Sequence, residues 1–136
     1  MDVKFDFDYV GKNYFGIVKR PVAKVSFKSP HNNIWTDSWM IVDTGADFTI
    51  LPRYLAKDLQ ISLEKDSIKD STSGVGGEQI IYLLKFKLKV RIGAYNREVP
   101  LAFFDSNEIP PILGRLGFLE TFNTEFLKKH IVVFKD

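Results

Sequence analysis

Cysteine is absent from the 136-residue sequence, so neither a disulfide framework nor a thiolate metal site is possible. Long apolar runs are also missing, because no run approaches the roughly eighteen residues that a membrane span needs. The first residues lack the apolar core of a signal peptide. The sequence therefore predicts a protein without a membrane segment that resides in the cytoplasm, either as it stands or after release from a larger precursor.

No charge of one sign dominates, because the net charge is only +2 and acidic and basic residues are mixed along the sequence. A nucleic-acid-binding domain would show a basic stripe interleaved with aromatic residues, and the sequence has none. The two histidines, His31 and His130, are not spaced as metal ligands, and we expect both at the surface. The sequence thus predicts no nucleic-acid partner, no metal and no cofactor.

The residues that are present predict one globular domain covering residues 1–136. Hydrophobic residues make up 45% of the sequence, which is enough for a substantial core. The twelve phenylalanines are a high number for this length. Such a surplus suits either a dense core or a buried subunit interface, and composition does not separate the two.

Alternating polar and apolar residues predict many short strands. Residues 3–9 and 23–28 alternate clearly, and residues 11–13 between them have the composition of a turn. Two brief helices are expected, over residues 53–60 and 116–122. This succession is typical of a mainly antiparallel β barrel or sandwich.

The segment 39–51 has the pattern of two strands joined by a loop that carries a carboxylate. Residues 39–42 are apolar and lead to Asp43, small residues follow, and a second apolar run leaves the loop. Such a loop would hold Asp43 rigidly at an exposed corner. An ordinary turn aspartate has the same local pattern, so this segment alone does not predict a catalytic residue.

Two downstream segments make the pattern more specific. Residues 73–77 are rich in glycine, and residues 112–115 read Ile-Leu-Gly-Arg. Together with residues 41–47, these segments resemble, in order and spacing, the retropepsin family of aspartic proteases, the single-lobed relatives of pepsin. The resemblance implies a mainly β fold, a closed antiparallel barrel with one or two short helices, and a flap that covers the substrate.

The resemblance also implies a role for each matching position. Asp43 would be the catalytic residue, supported in the same loop by Thr44, Gly45 and Ala46. Substrate would be bound by Asp47, Phe48, Gly74, Val75, Gly76 and Gly77, of which the last four would form the flap. The structural residues near the site would be Ile112, Leu113, Gly114 and Arg115.

These positions also have plainer interpretations. Asp47 could cap a turn, Arg115 could be a surface charge at a helix end, and residues 70–77, whose composition indicates flexibility, could be a solvated hairpin tip or linker. In the family, the arginine forms an ion pair that orients the region around the position of Asp47. The glycines would give the flap its mobility.

The Asp-Thr-Gly motif occurs only once, and this bears on the mechanism. Two carboxylates that share one proton can hydrolyse a peptide bond without a metal, since one activates water and the other polarises the carbonyl. This chain supplies one such residue, so the second carboxylate must come from another copy of Asp43. A two-fold homodimer places both at its axis. The predicted function is that of a homodimeric aspartic endopeptidase acting on extended polypeptides.

Two features differ from the viral members of the family. Leu116 follows Arg115, where a polar residue is usual, and the Asp43 loop begins far from the start of the sequence. Both features look more like cellular or prokaryotic relatives. They leave the location of the dimer interface undetermined, and residues 126–134 are one candidate for it.

Two other functions are compatible with the sequence. A catalytically weak or inactive retropepsin-like module could serve in dimerisation or peptide binding with the same fold. An unrelated β-barrel binding protein is the third hypothesis, but it requires the three motif segments to be a coincidence. The intact Asp43-Thr44-Gly45 favours the enzyme, because a binding module has no need of a carboxylate pair. Cleavage of an unstructured protein, measured beside the oligomeric state, separates these hypotheses.

Overall fold

The computed structural model describes residues 1–74 and 77–136, and these are mainly β structure. The strands are β1 (Val3–Asp6), β2 (Asp8–Asn13), β3 (Gly16–Arg20), β4 (Val22–Lys28), β5 (Trp35–Val42), β6 (Thr49–Leu51), β7 (Ser67–Gly74), β8 (Gly77–Leu84), β9 (Leu88–Ile92), β10 (Tyr95–Val99), β11 (Leu101–Phe104), β12 (Ile112–Leu113), β13 (Asn123–Leu127) and β14 (Ile131–Lys135). The helices are α1 (Arg53–Asp58), α2 (Leu63–Asp66) and one 3-10 turn, Leu119–Thr121. The predicted mainly β class with short helices is confirmed.

The largest sheet has nine strands in the order β10-β9-β4-β5-β12-β6-β11-β8-β7. Most neighbours are antiparallel, but β12 pairs with β5 in parallel, and β11 pairs with β6 in parallel. The sheet is therefore mixed rather than wholly antiparallel. In the described residues its order runs from β10 to β7, so closure into a barrel stays a prediction.

Two smaller sheets complete the described structure. Strands β1, β14 and β13 form an antiparallel sheet that joins the two ends of the chain. Strands β2 and β3 form a separate two-stranded hairpin between β1 and β4. The start of the chain thus contributes one strand to the terminal sheet and then projects a hairpin before it enters the main sheet.

The core follows from the alternation seen in the sequence. In β4, Ala23, Val25 and Phe27 are fully buried while the lysines between and after them face outward. The side chains of Val25 and Phe27 join one large apolar cluster that also includes residues of β9, β11 and β14. Fully buried phenylalanines of this cluster are Phe27, Phe103, Phe118 and Phe134. Much of the phenylalanine surplus therefore fills the core.

The predicted turn at residues 11–13 is wrong. These residues belong to β2, and the chain reverses at Tyr14 and Phe15 instead. The side chain of Asn13 explains the position of the turn, because its Oδ1 accepts a hydrogen bond from the Phe15 amide at 2.8 Å. Gly11 lies next to an irregularity in the β2–β3 register, so its glycine marks a bulge rather than the turn.

The two predicted helices have different outcomes. The helix expected over residues 53–60 is present as α1 and ends near Gln60, whose φ of 58° is left-handed. The helix expected over residues 116–122 is reduced to the 3-10 turn, because Gly117 adopts a φ of +68° and breaks the helical geometry. Within residues 1–74 and 77–136, no helix has the length and hydrophobicity of a membrane span.

We expect the Ile92→Ala variant to lose about 2–5 kcal/mol of unfolding free energy, because it leaves a cavity in the large cluster. Ile92 lies in β9 with no exposed surface. The matched control is Ile34→Ala, since Ile34 is 58% exposed. Urea denaturation should show a change within about 0.5 kcal/mol for the control. Equal losses in the two variants would contradict the assigned core.

Candidate active site

Asp43 follows directly after β5, at the point where the main sheet is held by a parallel pairing. Residues Ile41 and Val42 pair with Ile112 and Leu113 of β12. The Asp43 amide continues this ladder and donates to the Leu113 carbonyl at 3.0 Å. The backbone of Asp43 is thus fixed to a segment seventy residues further along the chain.

The loop after Asp43 orients its carboxylate. The Gly45 amide donates to Asp43 Oδ1 at 2.9 Å, and the Ala46 amide donates to the Asp43 carbonyl at 3.1 Å. A Cβ atom on Gly45 would lie 3.2 Å from the same Oδ1, closer than most such contacts. Glycine at position 45 therefore lets the amide approach the carboxylate, whose residue is only partly buried.

Arg115, which lies outside the Asp43 loop, binds the loop at three points. Its Nη1 donates to the Thr44 carbonyl at 3.1 Å, and its Nη2 donates to Asp47 Oδ1 at 2.7 Å. Its amide donates to the Ala46 carbonyl at 3.0 Å. The ion pair is largely exposed, so its contribution to stability is small, and its effect is to fix the shape of the loop. The ion pair that the resemblance implied between this arginine and the Asp47 region is present.

At Gly114, the segment 112–115 passes close to the backbone that leaves the Asp43 loop. A Cβ atom there would lie 2.2 Å from the Phe48 carbonyl oxygen, which is a backbone atom and cannot move aside easily. The Gly114 amide donates to Thr49 Oγ1 at 3.1 Å, and Thr49 is fully buried. The glycine is required by this crossing, and the threonine hydroxyl satisfies an amide that is shielded from water.

A cleft of about 510 Å³ opens at the Asp43 loop. The predicted site residues in its lining are Asp43, Gly45, Ala46, Asp47, Phe48, Gly77 and Ile112. Leu113 and Gly114 are instead buried behind the loop, and Thr44 is exposed. The structure thus brings the predicted residues of three separate segments to one place.

Part of the cleft wall comes from the hairpin of β7 and β8. These strands pair along their whole length, from Ser67 with Leu84 to Gly74 with Gly77. Thr72, Ser73 and Gln79 line the cleft beside Gly77. Residues before Gly74 therefore form a regular strand rather than the flexible segment that their composition indicates. Of the four predicted flap residues, Val75 and Gly76 lie outside the described residues.

Sequence reasoning missed two features of the site. One is Thr49, whose hydroxyl bonds to Gly114 and which has no motif to identify it. The other is Arg53 in α1, which forms an ion pair with Asp105 and lies 5.6 Å from the ring centroid of Tyr82 in β8. The Tyr82 hydroxyl, followed by the Asp105 carboxylate, raises the pKa of Arg53 above its usual value. This charged group links α1 to the hairpin that borders the cleft.

Comparison with known proteins supports the interpretation of this geometry. The family model described as aspartyl protease matches residues 32–116, which include both the Asp43 loop and the Arg115 segment. The chain belongs to the aspartyl protease family. Its fold is retropepsin-like: it is similar to the crystal structure of a retropepsin-like aspartic protease from Rickettsia conorii, with a TM-score of 0.63 and 18% identity over 98% of each chain. A search of curated proteins found no match.

We expect Gly114→Ala to destabilise this aspartyl protease domain by at least about 1–3 kcal/mol, since the added methyl group meets the backbone at Phe48. Gly11→Ala is the control, because a Cβ at Gly11 has no neighbour within 4 Å. Thermal and urea unfolding of the two variants provide the measurement. If Gly114→Ala is as stable as the control, the close crossing of the two segments is wrong.

Proposed function

We propose that this chain is one subunit of a homodimeric aspartic endopeptidase that hydrolyses peptide bonds in extended polypeptides. The observation that carries the proposal is the position of Asp43, oriented by a backbone amide and lining a cleft of about 510 Å³. Membership of the aspartyl protease family supports it. The similarity over 98% of the chain also supports a single retropepsin-like domain over residues 1–136.

Catalysis needs two carboxylates, and the chain has one Asp-Thr-Gly motif. In the homodimer, Asp43 of each copy meets the other at the two-fold axis. Carboxylates about 3 Å apart cannot both ionise, so the pair holds one shared proton. The ionised member takes a proton from the attacking water, and the protonated member polarises the scissile carbonyl.

The cleft suits an extended peptide. Five apolar side chains form much of its lining and would receive substrate side chains, namely Phe48, Ile50, Phe104, Ile109 and Ile112. The side chain of Asp47 is 81% exposed although its Oδ1 binds Arg115. Its other oxygen is therefore accessible to an amide of the substrate backbone. Burial of apolar side chains beside paired backbone groups is the usual basis of peptide recognition.

The remaining roles complete this proposal. Thr44 has an exposed side chain next to Asp43, so its hydroxyl can link the two Asp43 loops across the axis. The flap consists of Gly74, Val75, Gly76 and Gly77, of which Gly74 and Gly77 are the last paired residues of β7 and β8. Gly77 has a φ of +98°, which side chains rarely adopt, and this supports a glycine requirement there.

We expect Asp43→Asn to abolish cleavage of an unstructured protein while the fold and the dimer persist. The substitution keeps the size of the side chain and removes the ionisable group. Circular dichroism and sedimentation check the fold and the oligomeric state, and peptide products are followed by mass spectrometry. Retained cleavage in a rigorously purified variant would remove Asp43 from the mechanism. A wild-type dimer that cleaves nothing would favour the inactive peptide-binding module.

Specific activity should fall on dilution, because a separated subunit has only one of the two carboxylates. The decrease should follow the dissociation constant measured by sedimentation. Excess Asp43→Asn chain mixed with the wild type should inhibit it by forming mixed dimers. The control is Asp43→Asn chain that is denatured before it is added and then removed from the mixture, and it should not inhibit. Constant specific activity in a demonstrably monomeric solution would contradict the hypothesis of an active site shared between two subunits.

A further inference from the structure

The β2–β3 hairpin exposes apolar side chains that have no partner in the described chain. It pairs with no other described strand, and none of its residues is buried. At its tip, Tyr14 is 99% exposed and Phe15 is 95% exposed, and their rings meet edge to face. Tyr9 and Ile17 are also more than half exposed. An isolated two-stranded hairpin is marginally stable in water, so these residues indicate a binding surface.

The root of this hairpin, where β2 begins and β3 ends, lies beside the Asp43 loop. Pro21 follows β3 directly, and its carbonyl accepts a hydrogen bond from the Val42 amide at 2.9 Å. Val42 is the residue before Asp43. In a dimer whose two Asp43 residues meet at the axis, both hairpins therefore begin close to that axis and to the other copy.

A hollow of about 340 Å³ lies at the same root. Its lining consists of Asp6, Phe7, Asp8, Val22 and Trp39. The Trp39 side chain is 58% exposed, although its ring packs edge to face on Phe5 at 5.9 Å. The hollow thus combines an apolar wall with two carboxylates.

The tip and the hollow are complementary, but the tip of one chain cannot reach the hollow of the same chain. Six residues of strand at about 3.4 Å each place the tip roughly 20 Å from the root. Lys12, near the tip, has the charge that Asp6 and Asp8 in the hollow would attract. In a two-fold dimer, the tip of each copy can reach the hollow of the other in an isologous contact.

We propose that the β2–β3 hairpin is a dimerisation arm whose Tyr14–Phe15 tip packs into the hollow beside Trp39 of a second copy. The inference rests on the proposed function, because the same dimer completes the active site. It assigns the subunit contact to the start of the chain, in addition to residues 126–134 considered from the sequence. The arms would hold the two Asp43 loops together from either side of the axis.

The first test removes the aromatic tip. The double variant Tyr14→Ser/Phe15→Ser should raise the dimer dissociation constant about 10- to 100-fold, as expected for buried aromatic anchors. Both side chains are almost fully exposed in one chain, so the fold should persist in circular dichroism. Ile34→Ser is the matched control, because Ile34 is an exposed apolar residue just before β5, at the other end of that strand from Asp43. Its dissociation constant should match the wild type.

The second test asks whether the tip meets the hollow. Trp39→Ala and Phe15→Ser should each weaken the dimer, and the combined variant should weaken it by less than the product of the single effects. Specific activity at protein concentrations far above the dissociation constant should return to the wild-type value in the tip variant. Independent, multiplicative effects would overturn the proposed contact.

The outcomes separate this proposal from the enzymatic one. Asp43-dependent cleavage with an unchanged dissociation constant in the tip variant overturns the arm and leaves the protease intact. A tip-dependent dimer without cleavage supports the arm and overturns the protease. Tip-dependent binding to phosphatidylserine vesicles, with dimerisation unchanged, would assign the hairpin to a membrane surface instead. A wild-type chain that stays monomeric overturns both proposals.

Discussion

The hydrogen bond from the Gly114 amide to the buried hydroxyl of Thr49 is the contact on which the site geometry depends. It joins the strand that leaves the Asp43 loop to the segment that supports it. A buried amide without this partner would cost about 1–3 kcal/mol. With the two backbones held this close, Arg115 can reach the Thr44 carbonyl and the Asp47 carboxylate. The neutral, buried contact thus supports the charged ones, together with the backbone bond from the Arg115 amide to the Ala46 carbonyl.

The parts of the fold that could be predicted from the sequence are those set by local chemistry. Alternation in β4 correctly identified which residues face the core, because the period of a strand leaves little choice. The Asp43 loop and the Arg115 segment were recognised by their resemblance to the retropepsin family, whose motifs place glycines where backbones approach closely. Gly114 shows this directly, since no side chain fits there.

Other features depend on contacts that a linear pattern does not contain. The turn of the β2–β3 hairpin is set by the Asn13 side chain and a bulge, whereas Gly11 in the sequence indicates an earlier reversal. The expected helix after Arg115 is interrupted at Gly117, which packs against Pro100 between β10 and β11. The mixed order of the main sheet likewise follows from long-range pairing. Sequence therefore predicted elements and motif residues better than their connections.

The parallel pairing of β5 with β12 also determines when the site can exist during synthesis. Asp47 and Arg115 are 68 residues apart, so at about 5–20 residues per second the loop precedes its support by roughly 3–14 s. A chain still attached to the ribosome at Phe104 has Asp43 and both strands of the β7–β8 hairpin, but it lacks Leu113 and Arg115, which bind the loop. Such long-range contacts also form late in folding. The order of the segments along the chain thereby delays a competent carboxylate until Arg115 has been synthesised.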